Sequence, residues 1–200
     1  MPVARAQAPP VVPLVTQSGP RETEEKVVEI VPVDGDAAGD RALVQVRDIL
    51  HSSCRQSDTI IRWGGDEFMV IGNTASPHTV EQLAERIRAN LAGHRFALGN
   101  GHVGRLSGSI GFAMYPFAPS SSRSLHWEQV VAVADHAAYT AKKNGRNAWL
   151  GVYGTRKSSW EELARTNINL PALARQQVVN LRSSLPRLEE YVEKTVQEQA

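Results

Sequence analysis

The chain has 200 residues, 42% of them apolar and 22% charged, with 22 Lys and Arg against 21 Asp and Glu, a formal charge of +1. That length allows one domain with extensions, and the near-neutral balance gives no reason to expect a nucleic-acid or membrane-surface binder. A single cysteine, Cys54, excludes an intramolecular disulfide, no apolar run reaches membrane-spanning length, and the prolines near Met1 argue against a signal peptide, so a cytoplasmic protein is expected.

Residues 1–26, rich in Pro, Gln, Ser and Thr, read as a flexible leader. Residues 27–152 alternate helical and strand patterns, and residues 153–200 read as a polar, helical extension. Within the middle zone, Asp40 to Leu50 places Leu43, Val46 and Leu50 on one helical face. Thr59 to Trp63 and Phe68 to Ile71 are short strand-forming runs, separated by a four-residue turn, Gly64-Gly65-Asp66-Glu67. His78 to Leu91 is a second helix, Gly108 to Met114 a buried strand, and Trp127 to Lys143 a long helix closed by Asn144 and Gly145. Asn147 to Val152 completes the pattern as a closing strand, giving an α/β (α+β) domain with a mixed sheet flanked by helices. In the tail, Leu181, Leu185, Leu188 and Val192 recur at helical spacing, interrupted by Pro186.

Chemistry concentrates at the hairpin turn. Gly64 and Gly65 carry no side chains, so a ligand can approach the backbone closely, and the carboxylates of Asp66 and Glu67 suit Mg2+. The same residues also make an ordinary exposed turn. Lys142 and Arg146, four apart, share a face at the end of the long helix, where they complement the helix dipole. Asp40 could cap its helix. His51, His78, His94, His102, His126 and His136 show no metal-ligand spacing, and Trp127 and Trp149 read as core anchors.

The string Arg62-Trp63-Gly64-Gly65-Asp66-Glu67-Phe68 resembles the RYGGDEF motif of the diguanylate cyclases. Residues Ala134 to Asn147 are similar to that family's ADxALYxAKxxGRN segment, with Ala138 in place of a larger apolar residue. Ser109 to Ala113 resembles its SIGVA strand and Gly39 to Leu43 its GDxxL helix start. The resemblance covers roughly residues 35–152 and implies the nucleotidyl-cyclase-like GGDEF fold. It further implies that two GTP molecules are condensed into cyclic di-GMP across a homodimer, with Mg2+ (or Mn2+) as cofactor. On these matches Asp66 is a metal ligand and Glu67 orients or deprotonates the attacking hydroxyl. Gly64 and Gly65 wall the nucleotide, Lys142 and Arg146 hold its β- and γ-phosphates, and Asp40 contacts guanine. Arg55-Gln56-Ser57-Asp58 reproduces the family's RxxD motif, which implies that Arg55 and Asp58 bind cyclic di-GMP as an inhibitory product.

The family's first strand, reading DxDxFK, has no counterpart. Counted back from Asp40, its metal Asp falls on Thr23, its guanine-binding Asn on Val31, and its Gly-His step on Gly35-Asp36. Val27 to Val33 could form a replacement strand ending at Asp34-Gly35-Asp36. The domain is therefore expected to be N-terminally truncated and impaired in catalysis, with two alternatives: a degenerate module that binds cyclic di-GMP, or a non-functional fragment.

Overall fold

In the computed structural model, which describes residues 11–20, 35–73, 76–117, 125–186 and 188–194, helices and strands alternate along the chain. They are β1 (Val11–Pro20), α1 (Gly35–Ser53), β2 (Thr59–Gly64), β3 (Glu67–Asn73), α2 (Pro77–Gly93), β4 (Phe96–Gly99) and β5 (His102–Gly104), followed by β6 (Leu106–Ala113), α3 (Trp127–Lys143), β7 (Trp149–Gly154), α4 (Trp160–Arg165), α5 (Leu170–Arg175), β8 (Val179–Ser183) and α6 (Leu188–Lys194). Six strands form one sheet in the order β2-β3-β1-β6-β7-β8, and β4 and β5 form a separate ribbon. Every pairing in the large sheet is antiparallel except β6 with β7, whose parallel direction follows from the return of the chain through α3.

Side chains alternate across β6 and so divide the core into two layers. Ile110 and Phe112 point to the face covered by α1 and α2, where Val46, Leu50, Val80, Ile87 and Leu91 are buried with them. Gly111 and Ala113 point to the other face, under α3. There the helix presents Val130, Val133, Ala134, Ala137, Ala138 and Ala141, all buried. This alanine-rich face sits close to the strand: a Cβ added at Gly111 would lie 2.1 Å from both the Ala134 carbonyl oxygen and the Ala138 nitrogen.

Several expectations change. Val11–Pro20, assigned by composition to the leader, is the central strand β1, because β3 and β6 supply hydrogen-bonding partners on both sides of a segment rich in β-branched residues. Pro13 pairs only on the β3 side, a level at which a residue without an N–H is tolerated. The sheet thus has a central strand ahead of α1. Val27 to Val33 lies outside the described residues, and Gly35-Asp36 opens α1 instead of ending a strand. The hairpin turn has two residues, Gly65 and Asp66, with Gly64 and Glu67 paired, because Gly65 takes φ 48° and closes the turn tightly.

The C-terminal segment is helical only in part. Leu181 lies on β8, which pairs along β7 from Gly154 back to Leu150, while Leu163, Leu170, Leu173, Val178 and Val179 join the core beneath α3. Trp127 is 56% exposed and so lies outside the core, whereas Trp149 is half-buried against Phe112. The expected strand at Asn147 begins at Trp149, since Asn147 is held in a turn.

Candidate functional site

The register of the sheet shows which sequence motifs meet. Glu67 lies opposite Gln17 on β1, and Gln17 lies opposite Ser109 on β6. The next residue of β6, Ile110, donates its N–H to the carbonyl oxygen of Ala148, just ahead of β7. The β2–β3 turn and the connection from α3 to β7 therefore emerge at one end of the sheet. Three strand spacings of about 4.8 Å separate them, or roughly 14 Å. The first half of α1, with Asp40, packs beside β4, where Arg41 Nε donates to the Leu98 carbonyl oxygen at 2.7 Å. Asp40 is the sixth residue of α1 and exposed, so it is not the N-cap of that helix.

At the hairpin, Gly64, Gly65 and Asp66 are exposed and Glu67 is half-buried. The Arg62 Nε donates to the Gly65 carbonyl oxygen at 3.0 Å and braces the turn from its own strand. Trp63 is 60% exposed beside it. Across the sheet end, α3 closes with a tight cap in which the Arg146 N–H bonds back to the Ala141 carbonyl oxygen at 3.1 Å and Gly145 takes φ 110°. Lys142 is half-buried and Arg146 exposed, and the salt bridges found among the described residues engage neither. Two cations at the C-terminal end of a helix, close to a strand end, form a suitable anchor for a polyphosphate.

A divalent cation finds only part of a site here. Asp66 and Glu67 supply carboxylates from the hairpin, but β1 reads Thr16-Gln17-Ser18-Gly19-Pro20 at this level, without a carboxylate. Among the described residues no three His, Cys, Asp or Glu side chains cluster as a metal site. The donor set fits an ion that completes its shell with substrate phosphates and water, as Mg2+ does. It is weaker by one wall than the set implied by the family resemblance.

The RxxD segment lies at the far end of β2, about 20 Å from the turn by the length of the strand. The backbone N–H of Arg55 donates to Asp58 Oδ2 at 2.8 Å, and the Asp58 N–H returns to the Arg55 carbonyl oxygen, so the motif is folded into a tight turn. Arg55 and Asp58 line an open pocket with Gly72, Thr79, Gln82 and Arg86. Arg86, from α2, is a residue that sequence reading missed. Its Nε and Nη2 donate to the Ser53 carbonyl oxygen at 2.9 and 2.7 Å, which fixes a second guanidinium at the pocket. Only the packing of α2 against the end of α1 brings it there.

The family described as "Diguanylate cyclase, GGDEF domain" matches residues 33–148. Diguanylate cyclase DosC of Escherichia coli is 36% identical over 123 residues, 62% of this chain and 25% of that protein. Diguanylate cyclase A of Treponema denticola is 38% identical over 113 residues, 56% of this chain and 29% of that protein. The chain therefore spans about a quarter of the length of these curated relatives. Among solved structures, the GGDEF domain of YfiN (TpbB) from Pseudomonas aeruginosa superposes with a TM-score of 0.57 at 29% identity, covering 70% of this chain and 74% of that one. The match spans the hairpin turn, the end of α3 and the RxxD turn, and on that ground the chain belongs to the diguanylate cyclase GGDEF-domain family.

Proposed function

We propose that this chain is a diguanylate cyclase of impaired rate, condensing two GTP molecules into cyclic di-GMP with release of pyrophosphate in the cytoplasm. The observation that carries this reading is the meeting of the Gly64–Glu67 hairpin and the Lys142–Arg146 cations at one end of the sheet. Gly64 and Gly65 let the nucleotide lie against bare backbone. Lys142 and Arg146 hold its β- and γ-phosphates, and Asp40 accepts from the guanine N–H groups. Glu67 takes the proton of the 3′-hydroxyl presented by the GTP of a second copy. The hydroxyl oxygen bonds to the α-phosphorus, and the bond to the β-phosphate bridge breaks to free pyrophosphate. Asp66 would hold Mg2+ or Mn2+ together with phosphate oxygens, and the ion would supply charge neutralisation at the reacting phosphate. With no carboxylate on β1 to share that ion, turnover is slow.

A second reading rests on the pocket of Arg55, Asp58 and Arg86: two guanidinium groups and a carboxylate suit the phosphates and guanine edges of cyclic di-GMP, as ligand of a receptor or as inhibitor. Incubation with GTP and Mg2+ or Mn2+, with chromatographic detection of cyclic di-GMP, separates the two. Cyclase action gives product that Glu67→Gln abolishes, and a specific rate that rises with protein concentration because each product needs two copies. Absence of product, with cyclic di-GMP binding lost in Arg55→Ala, establishes the receptor instead.

A further inference from the structure

Gly145, Arg146 and Asn147 take φ of 110°, 53° and 44° in succession. Glycine accepts the left-handed region freely, whereas a residue with a Cβ needs support there. The support for this turn comes from α2. Arg88 Nη1 donates to Asn147 Oδ1 at 3.0 Å, and Glu85 fixes the same guanidinium with bonds of 2.8 Å to Nε and 2.6 Å to Nη2. Glu85 Oε2 also accepts from the indole Nε1 of Trp149, at 3.1 Å, two residues beyond Asn147. A pair of side chains from one helix thus grips the chain at Asn147 and Trp149, across sequence separations of 59 and 64 residues. Arg146 stands immediately before this grip and immediately after the Ala141 cap. The backbone at Arg146 is therefore held on both sides. The Arg88 side chain is only 21% exposed and spends its fork on this contact, so it is not itself a ligand group.

We propose that Arg88, oriented by Glu85, is a positioning residue for the nucleotide phosphates, holding the left-handed turn so that Arg146 and Lys142 face one triphosphate. The inference rests on the reading of Lys142 and Arg146 as the phosphate anchor. The probe is α,β-methylene-GTP, which cannot react at the α-phosphorus, titrated calorimetrically with Mg2+ and compared with GMP, which lacks the β- and γ-phosphates. Arg88→Ala is expected to weaken the analogue about tenfold, with GMP affinity held within about twofold. Adding Asn147→Gly restores most of the loss, because glycine adopts the turn unaided. Arg88→Lys does not restore it, since an ammonium cannot engage Glu85 and Asn147 as a fork. Where Arg88→Ala fails to fold, Asn147→Ala carries the test from the other end of the bond and shows the same selective loss. Equal loss for analogue and GMP, or no rescue by Asn147→Gly, overturns the proposal. An unchanged analogue affinity in Arg88→Ala, beside a loss in Arg146→Ala, overturns it alone. An unchanged affinity in Arg146→Ala removes the phosphate anchor and the proposal together.

Discussion

Cys54 shows how position sets the chemistry of one side chain. It follows α1 directly and is half-buried, and burial foremost, then the charge of Asp58, push its thiol up to about 11, against the opposing pull of Arg86. A thiol with so high a pKa is almost wholly protonated at pH 8, so alkylation of the native protein should run roughly a hundredfold slower than in denaturant. Asp58→Asn should accelerate the native reaction, read by mass spectrometry over time. Fast native alkylation in the wild type would refute the assigned environment. Other residues were legible only as candidates. Lys142 and Arg146 stand out as cations at a helix end, but nothing in the spelling of α2 marks Arg86 for the RxxD pocket or Arg88 for the turn at Asn147. Those contacts arise between segments far apart in sequence.

At the scale of elements, the sequence pattern located α2 and α3 closely, and one stripe of each is buried. The closeness of α3 to the sheet depends on residues that such a period undervalues. Ala134, Ala137, Ala138 and Ala141 let the helix backbone approach Gly111 on β6, and a methyl group there has no room. Gly111→Ala should therefore destabilise the domain by about 3 kcal/mol, the upper range for overpacking. For a chain of this size that lowers the melting temperature by roughly 10 °C. A shift under a couple of degrees in thermal unfolding would mean that α3 lies farther off than described. Ala138, which stands in place of a larger apolar residue, is fully buried on this face.

For the whole molecule, the C-terminal segment matters most. It lies beyond the family match at residues 33–148, yet β8 covers the edge of β7, and Leu163, Leu170, Leu173, Val178 and Val179 are buried against α3 and β7. A network reinforces the seam: Tyr153 donates to Glu81 at 2.7 Å, and Arg182 on β8 reaches the same carboxylate at 3.1 Å. A chain ending at Gly154 should lose cooperative thermal unfolding and bind a hydrophobic dye, because it exposes an apolar face and an unpaired strand edge. A truncated chain that melts cooperatively within a few degrees of the full one would show that this segment is an accessory. Among the described residues no helix is long and apolar enough to cross a membrane.

Local spelling by itself determined the four family motifs and the helical stretches of α2 and α3. These are properties of neighbouring residues, and periodicity or a short motif records them. The tertiary structure decided the rest. It placed Val11–Pro20 at the centre of the sheet, because pairing with β3 and β6 outweighs a composition that reads as a leader. It folded the tail into the core, and it closed the Asn147 turn through Arg88. Each of these depends on hydrogen bonds or apolar contacts between distant segments, and such partners exist only once the chain has come together.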